Sequence, residues 1–102
     1  MSFQLTVRAK EDMKNIARYT QEVWGVSQRN VYLKQIDDIF HLVAKSPANG
    51  RSCDEIRDGY YKYNVGKHVI FYRQISKKSD KKETEIQIVR ILHSAMDVPN
   101  NL

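Results

Sequence analysis

The chain is poor in the residues that staple, link or anchor a protein. Cys53 is its one cysteine among 102 residues, so no disulfide can form within the chain. No basic segment followed by an apolar run opens it, and the expectation is a cytoplasmic protein. The longest apolar run falls far short of the roughly 18 residues that a membrane span needs, so no membrane partner is expected. Histidine occurs at 41, 68 and 93 only. None of the three stands at a metal-ligand spacing from another or from Cys53, which argues against a metal centre, and no cofactor is expected. There is no low-complexity segment and no internal repeat. Acidic residues are also in deficit, with 12 Asp and Glu against 17 Lys and Arg, a net charge of +5. The excess runs through both halves, which describes a basic surface: either plain solubility charge or a field that speeds encounter with an acidic or polyanionic partner.

What is present is enough for one domain spanning residues 1–102, large enough to fold without staples. Phe3 to Leu5 alternates like a short strand, and Thr6 stands where a helix N-cap would accept a backbone N–H. Ala9, Met13, Ile16, Ala17, Thr20 and Trp24 then recur at three- and four-residue steps, the apolar stripe of a helix that Gly25 can end in a left-handed conformation. Trp24 is expected to anchor the hairpin that follows. Ser27 can cap a second helix with the stripe Val31 or Tyr32, Leu33, Ile36, Phe40 and Val43, which Pro47 and Asn49-Gly50 forbid from continuing. Helices joined by so short a link are antiparallel neighbours. Downstream, Glu55 to Arg57 and Tyr60 to Val65 read as strand with a bend at Gly59. Gly66 makes a tight connection into a strand over 67–75, and the last strand covers 84–93. Between them, residues 77–83 form a lysine-rich tip better read as solvated loop than as a nucleic-acid grip, because no aromatic is interleaved with the cations. Simple alternation puts Ile86, Ile88 and Leu92 on one face with Arg90, and Val89 and Ile91 on the other. Both faces must then be covered, one by the helices and one by the C-terminal tail or a partner. The fold class is α+β: an N-terminal strand and an antiparallel helical hairpin packed on a small, mainly antiparallel sheet.

The ordered set Leu5-Thr6, Ala9, Asp12-Met13, Ile16, Tyr19-Thr20, Trp24-Gly25, Tyr32-Leu33, Phe40, Pro47, Gly50-Arg51, Glu55-Ile56-Arg57, Gly59-Tyr60, Val65 to His68, Ile70 to Arg73, Ile88 to His93 and Met96-Asp97 resembles, in order and spacing, the ParE toxins of type II toxin–antitoxin systems. Single pieces are weak signals, whereas the set covers nearly the whole chain. The resemblance implies the fold shared by RelE and ParE toxins. It also implies a toxin that inhibits DNA gyrase, stalling it with cut DNA, and a ParD-type antitoxin that neutralises it and carries the complex to operator DNA. Such systems stabilise plasmids or chromosomes. The sequence departs from the family at Ala95, where arginine is frequent, and in the length of the 77–83 tip.

The alternative that the shared architecture raises is a ribosome-dependent mRNA endonuclease of the RelE type. Attack of a 2′-hydroxyl on phosphate needs a base, a charge-stabilising group and an acid. Arg73, Arg90 and His93 lie near strand ends, but Val69 and Ile70 stand where ribonuclease relatives tend to place an arginine, and no tight cationic group follows the last strand. The sequence therefore favours a binding inhibitor with no catalytic residues, and the partner-binding candidates are Arg57, Tyr60, Arg73, Arg90, His93 and Met96. Arg73 and Arg90 have a competing structural reading, pairing with Glu55, Asp58 or Asp97 to tie the sheet. His68 reads as a satisfied core imidazole, and the tyrosines of the strands as packing residues.

Overall fold

The computed structural model describes residues 2–75, 85–96 and 98–102. In chain order its elements are β1 (Ser2–Leu5), α1 (Val7–Trp24), α2 (Val26–Lys45), a 3-10 turn (Pro47–Asn49), β2 (Arg51–Ser52), β3 (Tyr60–Val65), β4 (His68–Gln74), β5 (Glu85–His93) and α3 (Val98–Asn101). The five strands form one sheet in the order β1-β5-β4-β3-β2. β1 runs parallel to β5 and every other pair is antiparallel. This is the expected α+β architecture.

Local chemistry sets the helix ends. Thr6 caps α1, its hydroxyl accepting the Ala9 N–H at 3.0 Å while donating to Val89 O at 2.8 Å. The same residue thus starts the helix and ties it to β5. Ser27 does not cap α2. That helix begins at Val26, and Gly25 caps both helices: its N–H reaches Gln21 O at 2.9 Å and its carbonyl accepts from Arg29 N at 3.0 Å. With φ 96° and ψ 170°, Gly25 is not in the left-handed helical well but in a region open almost only to glycine, so the chain reverses in one residue with no room for a separate cap. Pro47 stops α2 as anticipated, the chain passing through Ser46 into the 3-10 turn.

The strand expected at Glu55 to Arg57 is instead turn. Ile56 and Arg57 both donate to Cys53 O, at 2.9 and 3.1 Å, closing a loop whose ends are joined by Cys53 N to Tyr60 O at 2.8 Å. The strand that pairs with β3 is the shorter Arg51–Ser52, opposite Lys62 and Tyr61. Gly66, at φ 55°, makes the tight β3–β4 connection, and a Cβ there would meet the Tyr32 ring. The lysine-rich tip at 77–83 lies outside the described residues.

β5 carries the largest departure from simple alternation. Phe71 pairs with Arg90 but Tyr72 pairs with Ile88, so Val89 is one residue too many and the register slips there. Such a bulge inverts the facing of everything beyond it. Ile86, Ile88 and Ile91 therefore share the helix side, packed with Ala9, Ile16, Ile36, Phe40, Val43, Ile70 and Tyr72. Arg90 and Leu92 fall on the opposite side. There Leu92, Phe71 and Cys53 form a second, smaller core, closed by Ile56 of the loop and by Val98 and Leu102 of the tail. The chain's own tail and loop thus cover the apolar part of the second face.

Both cores bury large side chains completely, Tyr72, Phe71 and Ile70 among them. Each such burial contributes about 1.5–3 kcal/mol before entropic costs. Trp24 does not anchor the hairpin: it is 68% exposed. The last buried position of α1 is Thr20, and no residue of α2 before Ile36 is fully buried. The two helices therefore extend past the sheet, and Trp24 sits on the overhang.

Candidate anion-recognition site on the sheet

Three of the six candidate residues come together. Tyr60 opens β3 directly opposite Arg73 of β4, and cross-strand partners project to the same face. Arg57, at the end of the Cys53 loop, lays its guanidinium over the Tyr60 ring at 5.7 Å from the centroid. The Arg57 N–H bond to Cys53 O and the Tyr60 N–H bond to Arg57 O at 3.1 Å hold the loop so that this stacking is local and short-range. Arg73 is exposed, and its Nε donates to Gln87 Oε1 at 2.9 Å, which orients the guanidinium plane. A half-buried phenol is thus flanked by two guanidinium groups. Two residues along β3, Lys62 projects to the same face, opposite Arg51 of β2. These two cations line an open cleft of about 580 Å³ with Asn49, Gly50, Tyr63 and Asn64. Cations directly opposite one another on neighbouring strands repel.

Arg90 is placed elsewhere and is already engaged. Its Nε and one terminal nitrogen grip the two carboxylate oxygens of Asp12 at 2.8 and 3.0 Å, and the other terminal nitrogen donates to Asn101 O at 2.7 Å. Both side chains of the pair are about nine-tenths buried. Asp12 Oδ2 also accepts the Ile91 N–H at 3.0 Å, a group on the stretch of β5 that runs past the end of β1. The Asp12 hydrogen bond pushes the Arg90 pKa above its ordinary value. The partner is therefore Asp12 of α1, not Glu55 or Asp58. The sequence did hold a signal: Asp12 stands three residues after Ala9 and four before Ile16, on the buried stripe, where a carboxylate needs a fixed partner.

His93 and Met96 mark the other end of the sheet. His93 is exposed at the end of β5, its Nδ1 accepting from Ala95 N at 3.1 Å, and Met96 is 41% exposed in the following turn. His93 stands opposite His68, the two rings edge to face at 5.4 Å. Behind them lies Tyr32 of α2, which sequence reasoning did not single out as a hydrogen-bonding group. Its hydroxyl donates to Val65 O at 3.0 Å and contacts His68 Nδ1 at 2.6 Å. Burial lowers the His68 pKa, the neighbouring His93 adds to this, and Asp12 opposes it. His68 is thus the satisfied imidazole that the sequence suggested. Among the described residues no cluster of three or more His, Cys, Asp or Glu is arranged to hold a metal ion, and no helix is long and apolar enough to cross a membrane.

In chemical terms, the Arg57, Tyr60 and Arg73 group can receive an anion on oriented guanidinium forks, whereas Arg90 and His68 serve the fold.

Known proteins share both the sequence and the fold. The family model for the ParE toxin of the type II toxin–antitoxin system parDE matches residues 3–98. Toxin ParE1 of Mycobacterium tuberculosis is 38% identical over 100 residues, covering 98% of this chain and 96% of that protein. Toxin ParE1 of Caulobacter vibrioides is 30% identical over the same shares. A solved structure of the chromosomal ParDE TA system from P. aeruginosa superposes with a TM-score of 0.72 at 19% identity, covering 91% of this chain and 95% of that one, which shows the fold. With the family pattern running from β1 to α3, the chain belongs to the ParE toxin family of type II toxin–antitoxin systems.

Proposed function

We propose that this ParE-family toxin inhibits DNA gyrase by binding, without catalysis of its own, and stalls the enzyme with cut DNA until a ParD-type antitoxin neutralises it. The observation that carries the reading is the family match across residues 3–98. The commitment of Arg90 to Asp12 and Asn101 supports a non-enzymatic toxin. A ribonuclease on this sheet would need that cation free to meet the developing phosphorane charge, and here it is held by a buried carboxylate.

The antitoxin contact is proposed along the overhanging hairpin, where Tyr19, Val23, Trp24, Val26 and Val31 are each at least half exposed. A partner helix anchored at i, i+3, i+4 and i+7 suits such a surface, and acidic residues on it would suit a chain of net charge +5. The complex would reach operator DNA through the antitoxin. Arg57, Tyr60 and Arg73 are the residues proposed to meet the stalled gyrase–DNA complex, with His93 and Met96 as a second, smaller contact. The test is plasmid supercoiling by purified gyrase with ATP. Supercoiling should stop at micromolar toxin and resume when antitoxin is added first. Normal supercoiling at that concentration contradicts the proposal.

A further inference from the structure

We infer that the Arg57, Tyr60 and Arg73 group binds the phosphodiester backbone of duplex DNA, so that the toxin holds DNA directly as well as gyrase; the inference rests on the gyrase reading for its biological meaning but not for its test. Three observations carry it. The aromatic interleaved with cations that the lysine-rich tip lacks is present here, with Arg57 stacked on Tyr60 and Arg73 directly across from it. Arg73 is exposed and Gln87 holds its guanidinium at Nε, and among the described residues no carboxylate is ion-paired with its fork. The same face continues through Lys62 to the opposed cation Arg51, a row whose mutual repulsion a line of phosphates would relieve.

The choice of phosphate over an acidic peptide follows from geometry. One planar carboxylate saturates one guanidinium fork. A phosphodiester is tetrahedral, and successive phosphates recur along a strand, so two forks on either side of a ring and a further pair of cations can each be matched. The acidic residues of the same loop are not paired with the group: the Asp54 carboxylate is turned to the Gly59 N–H, which it accepts at 2.8 Å. Among the described residues, neither Glu55 nor Asp58 forms an ion pair with Arg57 or Arg73.

The experiment measures binding of the free toxin to a 20-base-pair duplex by fluorescence anisotropy at several salt concentrations. It uses the parent, Arg57→Ala, Arg73→Ala, Arg73→Lys and, as a control removing one exposed charge elsewhere, Lys14→Ala. Non-specific affinity in the micromolar range at low salt is expected. Arg57→Ala and Arg73→Ala should each weaken binding about tenfold and make the salt slope shallower by about one, since each removes a charge-assisted contact. Arg73→Lys should keep the slope but lose part of the affinity, and Lys14→Ala should match the parent. Circular dichroism melts of all variants show whether each is folded, and both arginines are exposed, so intact folds are expected. Equal weakening by Lys14→Ala would reduce the effect to net charge and overturn the inference. So would parent-like duplex binding by both arginine variants, or loss of antitoxin or gyrase binding in them with duplex binding unchanged, which would assign the group to a protein carboxylate. Gyrase inhibition by the parent is read separately, so failure of the gyrase proposal leaves this result interpretable.

Discussion

At the scale of single residues, the pair Asp12–Arg90 decides most. Removing the guanidinium leaves a carboxylate that is nine-tenths buried and, among the described residues, keeps the Ile91 N–H alone, so Arg90→Ala should destabilise the chain by about 3 kcal/mol or more. Arg73→Ala, which loses one exposed hydrogen bond to Gln87, should cost under about 1 kcal/mol. Chemical denaturation of the two variants distinguishes these outcomes, and an Arg90→Ala protein as stable as the parent would remove the structural assignment. Trp24→Ala should likewise leave stability within about 0.5 kcal/mol, because the side chain is solvent-facing. His68 gives a pH dependence whose sign is fixed. Its folded pKa lies below the unfolded value near 6.5, so the unfolded chain binds more protons as the solution is acidified. Its contribution is complete above about pH 6.5 and is lost as pH falls through the lowered folded value. His68→Gln should flatten the pH dependence of the melting temperature over that interval.

At the scale of elements, the helices were legible because caps and periodicity act locally: Thr6, the Ala9 to Thr20 stripe and Pro47 all perform as their chemistry requires. The second face of the sheet was not. Its composition depends on one extra residue, Val89, whose carbonyl accepts a hydrogen bond from the distant Thr6 hydroxyl. No local preference in the Ile86 to His93 run announces it, and so alternation assigned Leu92 and Ile91 to the wrong faces. The candidate site was half legible for the same reason. Tyr60 and Arg73 sit on strands whose register follows from the Gly66 turn, whereas Arg57 reaches them through a loop that local pattern reads as strand. The tail has a measurable role in this arrangement. Val98 and Leu102 close the small core over Cys53, which is fully buried, and Arg90 holds Asn101 O. Leu102→Ala together with Val98→Ala should speed reaction of Cys53 with a neutral thiol reagent severalfold, by raising the population of the opened segment. Unchanged reactivity would mean that the loop alone seals the thiol.

At the scale of the whole molecule, five of the exposed large apolar side chains among the described residues, Tyr19, Val23, Trp24, Val26 and Val31, gather at the hairpin overhang, with Val7, Leu42 and Met96 lying apart from them, while the tail and loop cover the apolar part of the sheet's second face. A partner that binds only the folded state stabilises it by about 4 kcal/mol at a thousandfold excess over its dissociation constant. Antitoxin should therefore raise the toxin's melting temperature, and Trp24→Asp should abolish the rise while sparing the free toxin's stability. The electrostatic share of that affinity should decline with salt and the apolar share persist. Isothermal titration at low and high salt measures the two.

The central claim, a gyrase inhibitor without ribonuclease activity, is tested most directly in one bacterial transcription–translation extract containing supercoiled plasmid and gyrase, sampled after toxin addition and quenched with detergent and protease. The account expects linear plasmid to accumulate while the message stays full length, and both to remain intact when antitoxin is present. Cleaved message with the plasmid uncut would contradict it.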